Sequence, residues 1–284
     1  MQTASVWRVL DSGRSSKIER VTNVGHLFTL NEISAKLPPG VYTTFRTFDC
    51  HKVLPLEPQF GRLEESAALM NVSVALLDRN HIRAALREAL QLYQNQDKRI
   101  RLTLDLEDRP GTIYISIEPL TIPRPADYKK GVITLTRMGE RENPKAKYTS
   151  FISFAEKTLD QIPENVNEVL LVNSKGQILE GLSSNFFAVR QEEIWTEDQN
   201  VLSGIVRSMV LEVARSAGIP VHLTAIQNSE LESIEEAFLT STSRSVLPIH
   251  KINEQIVGTG KPGPITNKLM DNYHQLIQRQ VEEI

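Results

Sequence analysis

Seven residues, Thr121-Ile122-Pro123-Arg124-Pro125-Ala126-Asp127, divide this chain more sharply than anything else in it. Proline fixes its own φ, carries no amide donor and pushes the residue before it away from the helical region. Two prolines in one polar stretch therefore predict an extended connection, and on either side of it the hydrophobic pattern starts afresh. The expectation is an N-terminal α/β domain over 1–122, a linker over 123–130 and a C-terminal α/β domain over 131–284. A length of 284 residues with 40% hydrophobic composition is enough to bury a core in each.

Before the connection, Val41–Phe48 is rich in β-branched and aromatic residues, and Ile100–Leu106 and Thr112–Ile117 alternate apolar with polar, as half-buried strands do. Leu63–Leu69 and Asn80–Tyr93 instead carry apolar residues at helical spacing, with Ile82, Leu86, Leu90 and Tyr93 on one face. A sheet covered by two helices is expected. After the connection, strands are predicted at Gly131–Thr136, Glu168–Val172, Asn185–Val189 and Ala237–Thr240. Helices are predicted at Ser150–Leu159, Ile205–Ala217 and from Asn267 to the end. The fold class is α+β (α/β).

Composition excludes several functions. A formal charge of −3 offers no overall basic surface to nucleic acid or anionic lipid, and no stretch approaches the apolar length of a membrane span. The first residues lack the apolar core of a secretory signal, and the single cysteine, Cys50, forbids an internal disulfide, so a cytoplasmic protein is expected. The six histidines are scattered, without metal-ligand spacing, and there is neither a Gly-rich dinucleotide fingerprint nor a G-x-S-x-G elbow.

One constellation carries chemistry. Glu180 opens the run Glu180-Gly181-Leu182-Ser183-Ser184-Asn185-Phe186-Phe187, and Lys147 lies 33 positions upstream (180 − 147). A pyridine aldehyde needs an amine to hold it as a Schiff base and an acid to keep its ring nitrogen protonated. Three further segments suit a phosphate. Arg62 offers a guanidinium fork, Gly204-Ile205-Val206-Arg207 begins a predicted helix with unpaired amides, and Ser241-Thr242 follows an apolar strand.

The order of these residues, arginine, lysine, glutamate, Gly-Ile turn and Ser-Thr turn, resembles that of the class IV aminotransferases over roughly residues 25–275. That family comprises branched-chain and D-amino-acid aminotransferases and aminodeoxychorismate lyase. The resemblance implies a two-domain fold with pyridoxal 5′-phosphate in the interdomain cleft and a homodimer. Lys147 fits the Schiff-base lysine better than Lys145, and Glu180 fits the acid on the ring nitrogen. Ser183 and Asn185 fit the positions that fasten the motif turn. Arg62, Ile205, Val206, Ser241 and Thr242 fit the phosphate site. The chain departs from many relatives at Gln59, where they have histidine, at Val206, where they have threonine, and at Ile152, where branched-chain enzymes have tyrosine.

Substrate groups follow less directly. Strand periodicity puts Tyr42, Thr44 and Arg46 on one face. Arg101 stands where relatives carry a carboxylate-binding arginine, and Arg244 follows the Ser-Thr turn. The expected activity is transfer of an amino group between a branched-chain L- or D-amino acid and a 2-oxo acid. The alternatives are pyruvate elimination from aminodeoxychorismate, a non-catalytic vitamer-binding protein, and a structural domain with no cofactor.

Overall fold

The computed structural model describes residues 4–11, 17–22, 27–72, 77–93 and 95–284. Up to Thr121 the elements are β1 (Ser5–Val9), β2 (Ile18–Arg20), α1 (Leu30–Ser34), β3 (Gly40–Phe48), β4 (Lys52–Val53), α2 (Glu57–Leu69), α3 (Arg79–Leu90), β5 (Lys98–Asp105) and β6 (Ile113–Pro119). Next come α4 (Pro125–Lys130), β7 (Val132–Met138), α5 (Ser150–Leu159), β8 (Glu168–Val172), β9 (Ile178–Gly181), β10 (Asn185–Arg190) and β11 (Glu193–Trp195). The chain ends with α6 (Ile205–Ser216), β12 (Val221–His222), a 3-10 turn (Asn228–Ser233), β13 (Glu236–Ser241), β14 (Ser245–Ile252), β15 (Gln255–Ile256), α7 (Pro264–Gln280) and β16 (Glu282–Glu283).

Backbone contacts divide the chain into two compact units. The first holds the residues up to Thr121 together with Ala146–Phe154 and Gln280–Ile284, and the second holds Ile122–Lys145 and Ala155–Arg279. The hydrophobic pattern carries no signal for the two short returns to the first unit.

The first unit is built on an antiparallel sheet of order β16-β4-β3-β5-β6-β1-β2. Its register aligns Thr44 with Arg101 and Arg101 with Ser116, and the pleat then sorts side chains to two unlike faces. Val41, Phe45, Ile100, Leu102, Leu104, Ile113, Ile115 and Ile117 share one core with Phe60 and Leu63 of α2 and Leu86 of α3. Each such side chain contributes about 1.5–3 kcal/mol on full burial. The opposite face is polar, with Tyr42, Thr44, Arg99, Arg101, Thr103, Ser116 and Glu118 in alternate positions. Over it lies α1, whose Thr29 and Glu32 form a capping box.

α2 begins at Glu57, six residues ahead of the expected Leu63, because Pro58 suits a first helical turn where its missing donor costs nothing. The same rule corrects the reading of the connection as extended throughout. Pro125 starts α4, and Asp127 accepts the Arg124 N–H at 2.9 Å. Gly131 ends that helix at φ +88°, where an added Cβ would stand 2.8 Å from the His250 nitrogen. The expected helix to the end of the chain is also corrected. α7 stops at Gln280, and Glu282 and Glu283 extend to pair with β4.

In the second unit a nine-stranded sheet runs β12-β11-β10-β13-β14-β7-β8-β9, with β15 paired to β14. The pairings β14–β7, β7–β8 and β11–β12 are parallel and the rest antiparallel. β9 also pairs with β10 through Glu180 and Asn185, so two members of the motif run are direct neighbours across a ladder. Leu170, Phe186, Leu239, Leu247 and Ile249 form its core, and Phe187 stacks on Phe238 at 4.8 Å between ring centroids. Among the described residues no helix is long and apolar enough to cross a membrane.

Candidate active site

Lys147 lies in the first of the segments that return to the first unit. Its carbonyl accepts the Tyr42 N–H at 2.9 Å, its own N–H donates to Ser66 Oγ at 3.2 Å, and Val41 and Tyr148 form an isolated bridge. The backbone of the candidate lysine is thus fastened to β3 on one side and α2 on the other. Its Nζ sits 5.0 Å from the Tyr42 ring centroid, and the Arg101 guanidinium carbon sits 4.6 Å from the same ring. Arg62 precedes Ser66 by one turn of α2 and is half-buried.

The three candidate substrate arginines are placed unlike one another. Arg101, 2% exposed, donates from Nη1 to Leu30 O at 3.0 Å and Ser34 Oγ at 2.5 Å, and from Nη2 to Asn31 Oδ1 at 2.8 Å. Its fork is therefore engaged with α1, whose Leu30 N–H is held in turn by Glu118 at 2.7 Å. Arg46 turns to Asp97 at 3.4 Å and covers the Phe48 ring at 4.6 Å, away from the Tyr42 and Arg101 group. Arg244 belongs to the second unit and forms an ion pair with Glu168 at 2.9 Å. Tyr42 and Thr44 are buried on the polar face of the first sheet.

In the second unit Glu180 is 2% exposed and forms an ion pair with Arg141 Nε at 2.8 Å. It also accepts from the Leu202 N–H at 3.3 Å and Asn185 Nδ2 at 3.4 Å. Asn185 Nδ2 donates to Leu202 O at 2.7 Å, which ties the 202–204 turn to the motif strand. Gly204 follows and caps α6 without any side-chain hydrogen bond. A Cβ there would collide with Asn185 Oδ1, so only glycine lets the helix start this close to the motif. The amides of Ile205 and Val206 open the 12-residue helix, whose positive end suits a dianion.

Arg207, one residue on, is 3% exposed and donates to Glu197 O at 2.9 Å and Asp198 Oδ1 at 3.0 Å. Burial pushes its pKa below the ordinary arginine value, against the opposing charges of Asp198, Glu197 and Glu180. Ser241 and Thr242 stand at the turn between β13 and β14, with Arg244 Nε donating to Ser241 Oγ at 3.1 Å. Among the described residues no cluster of three or more His, Cys, Asp or Glu could hold a metal ion.

A buried acid with a contact cation, a helix start with amides but no side-chain cap, and a glycine cleared for close approach together fit a phosphorylated pyridine. Arg141, Glu168 and Arg207 complete this arrangement, and sequence reasoning passed over all three. Arg141 lies in a polar loop with no periodicity, Glu168 looks like the solvent-facing start of a strand, and Arg207 looks like an ordinary helix-surface charge.

Residues 40–252 match the family model described as amino-transferase class IV. The chain belongs to the class IV aminotransferases. This class IV aminotransferase is 28% identical to a probable branched-chain-amino-acid aminotransferase of Thermotoga maritima, over 92% of its own length and 94% of the relative's. It is 24% identical to the D-alanine aminotransferase of Bacillus licheniformis, over 81% and 84% of the two chains. Among solved structures, the branched-chain aminotransferase of the thermophilic archaeon Thermoproteus uzoniensis with norvaline shares the fold. Its TM-score is 0.77 at 22% identity, with 99% of this chain and 99% of that one covered. The architecture is accordingly that of the fold type IV enzymes, and pyridoxal phosphate is the cofactor of the family.

Proposed function

We propose that this chain is a pyridoxal-phosphate-dependent aminotransferase that moves the amino group of a branched-chain amino acid to a 2-oxo acid, with Lys147 as its catalytic amine. The observation that carries the assignment of residues is the buried Arg141–Glu180 pair beside the glycine-cleared start of α6, because it supplies an acid and an anion site from one continuous run of turns. Pyridoxal phosphate, when bound, supplies an aldehyde that accepts an amino group and a ring that withdraws electrons from the substrate α-carbon.

The rest is work for the chain's own side chains. Lys147 would hold the cofactor through its Nζ, and the same Nζ would serve as the base that takes the substrate α-proton and returns it. Glu180 accepts the hydrogen bond of the ring N–H. The amides of Ile205 and Val206, the hydroxyls of Ser241 and Thr242 and the guanidinium of Arg62 hold the phosphate oxygens. Ser183 and Asn185 keep the motif turn in place. Tyr42 and Thr44 contact the substrate, and Arg101 holds its carboxylate on leaving one of its α1 acceptors. Arg46 and Arg244 face Asp97 and Glu168 and are weaker candidates for that task. A cytoplasmic location and a homodimer are part of the same reading; the single cysteine suits a reducing compartment, and the homodimer rests on the family resemblance alone.

The test is the absorption spectrum of purified protein loaded with pyridoxal phosphate, recorded as separate L- and D-amino acids are added. Conversion to the pyridoxamine form by one series establishes transamination and its hand, and light scattering on the same sample reports the oligomer. A loaded protein that ignores every amino acid yet releases pyruvate from aminodeoxychorismate would overturn the reading.

A further inference from the structure

Glu168 is the least exposed acid near the motif, at 0%, and nothing in the transfer reaction uses it. Its Oε2 is a meeting point. It accepts from Ser183 Oγ at 2.7 Å, Ser184 Oγ at 2.9 Å, the Ser183 N–H at 3.3 Å and Arg244 Nη2 at 2.9 Å. Arg244 in turn donates to Ser183 Oγ and, from Nε, to Ser241 Oγ at 3.1 Å. Gly181 makes room for the arrangement, since a Cβ there would collide with Ser184 Oγ and lie 2.8 Å from Glu168 Cγ.

One carboxylate therefore gathers the motif turn 181–184, and one guanidinium joins that turn to the turn beginning at Ser241. The first turn is continuous with Glu180, assigned above to the ring nitrogen. The second carries Ser241 and Thr242, assigned to the phosphate. A buried carboxylate that loses its cation is costly, so the two charges hold each other in place. We infer that Glu168 is a positioning residue which, through Arg244, fixes the spacing between the group that meets the cofactor's ring and the groups that meet its phosphate. The inference rests on the functional reading above. It removes Arg244 from the substrate carboxylate and gives it a structural partner on each turn.

The experiment measures the dissociation constants of pyridoxal phosphate and of pyridoxal, by absorption titration, for the wild type, Glu168→Gln, Arg244→Met and the double variant, each checked for folding by circular dichroism. Each single variant is expected to lose about tenfold in its preference for pyridoxal phosphate over pyridoxal, and the double variant no more than either, because both cuts break one device. A general loosening of the fold would weaken both vitamers alike and leave that preference intact, which would overturn the inference. So would a folded Arg244→Met that binds both vitamers as the wild type does, or losses that add in the double variant. If Glu168→Gln does not fold, Arg244→Met and Ser183→Ala carry the same test from the more accessible side of the cluster. A wild type that binds neither vitamer would instead sink the functional reading itself.

Discussion

Two lysines of the first unit rest over a tyrosine ring at nearly the same distance, Lys147 at 5.0 Å from Tyr42 and Lys98 at 5.1 Å from Tyr93. Their surroundings separate them. Lys98 is 1% exposed, and burial pushes its amine below the ordinary lysine value, with the charges of Cys50 and Asp97 opposing. Lys147 is half-buried on a segment held between β3 and α2. The buried amine with a depressed pKa is Lys98, whereas the motif spacing selects Lys147. The pleat explains the difference. Lys98 shares its strand face with Ile100 and Leu102, so register alone carries it inward, and a depressed lysine there reports a place in a core rather than a chemistry.

The largest expected effect breaks the comparison at the level of turnover. Lys147→Ala should fall to about a thousandth of wild-type transamination or below, while Lys98→Met keeps its rate, as measured in a coupled assay. Borohydride treatment of the loaded protein followed by peptide mapping should place the label on Lys147 alone. Transfer of either result to Lys98 would end the assignment.

Next in size is the acid that faces the same question of burial. Glu180 has a contact cation in Arg141, whereas Lys98 has no contact ion pair among the described residues. Arg141→Met strands a buried carboxylate and should lower stability by about 3–5 kcal/mol in urea titration. A loss below about 1 kcal/mol would mean that the pair is effectively solvated.

The Lys98→Met variant should move the other way, gaining roughly 1 kcal/mol, since it replaces a buried amine with an apolar chain of similar length. The pH dependence has a definite sign. The folded-state amine lies below the ordinary 10.5, so between the two values the unfolded chain binds more protons and stability rises with pH. That rise should be present in the wild type and missing in Lys98→Met.

The smallest effect belongs to His250, which burial, then Lys130 and Lys251, hold below the ordinary histidine value of 6.5. The folded state favours the neutral ring, so stability is lost as pH falls below about 6.5. His250→Asn should flatten thermal midpoints over that acid range. A slope unchanged by the substitution would assign it to other groups.

Local patterns account for what was legible. Ser150–Leu159 and Glu168–Val172 have the bounds expected of them, because each is framed by clear punctuation and a single period. β14 gives no sequence signal because Pro248 interrupts Ser245–Ile252, and the short edge strands are too brief for any period to register. At the site, residues with an intrinsic signature were readable: a lysine and a glutamate at fixed spacing, a glycine before a helix. Arg141, Glu168 and Arg207 were not, since each matters through a partner distant in sequence or through burial, and nothing in a charged residue announces which face it will meet. The face carrying Tyr42 and Thr44 was readable from alternation, but Arg46 obeys the same alternation and still turns to Asp97 at the strand end.

The divided first unit bears on how the molecule comes off the ribosome. Lys147 reaches β3 only after the chain has left for the second unit and come back, and β4 meets its outer neighbour only when residue 283 has emerged. A fragment cut at the proline connection would lack both its amine and an edge strand. Supplying the missing pieces in trans as peptides 146–154 and 280–284 is therefore a complementation experiment that the chain's own path defines.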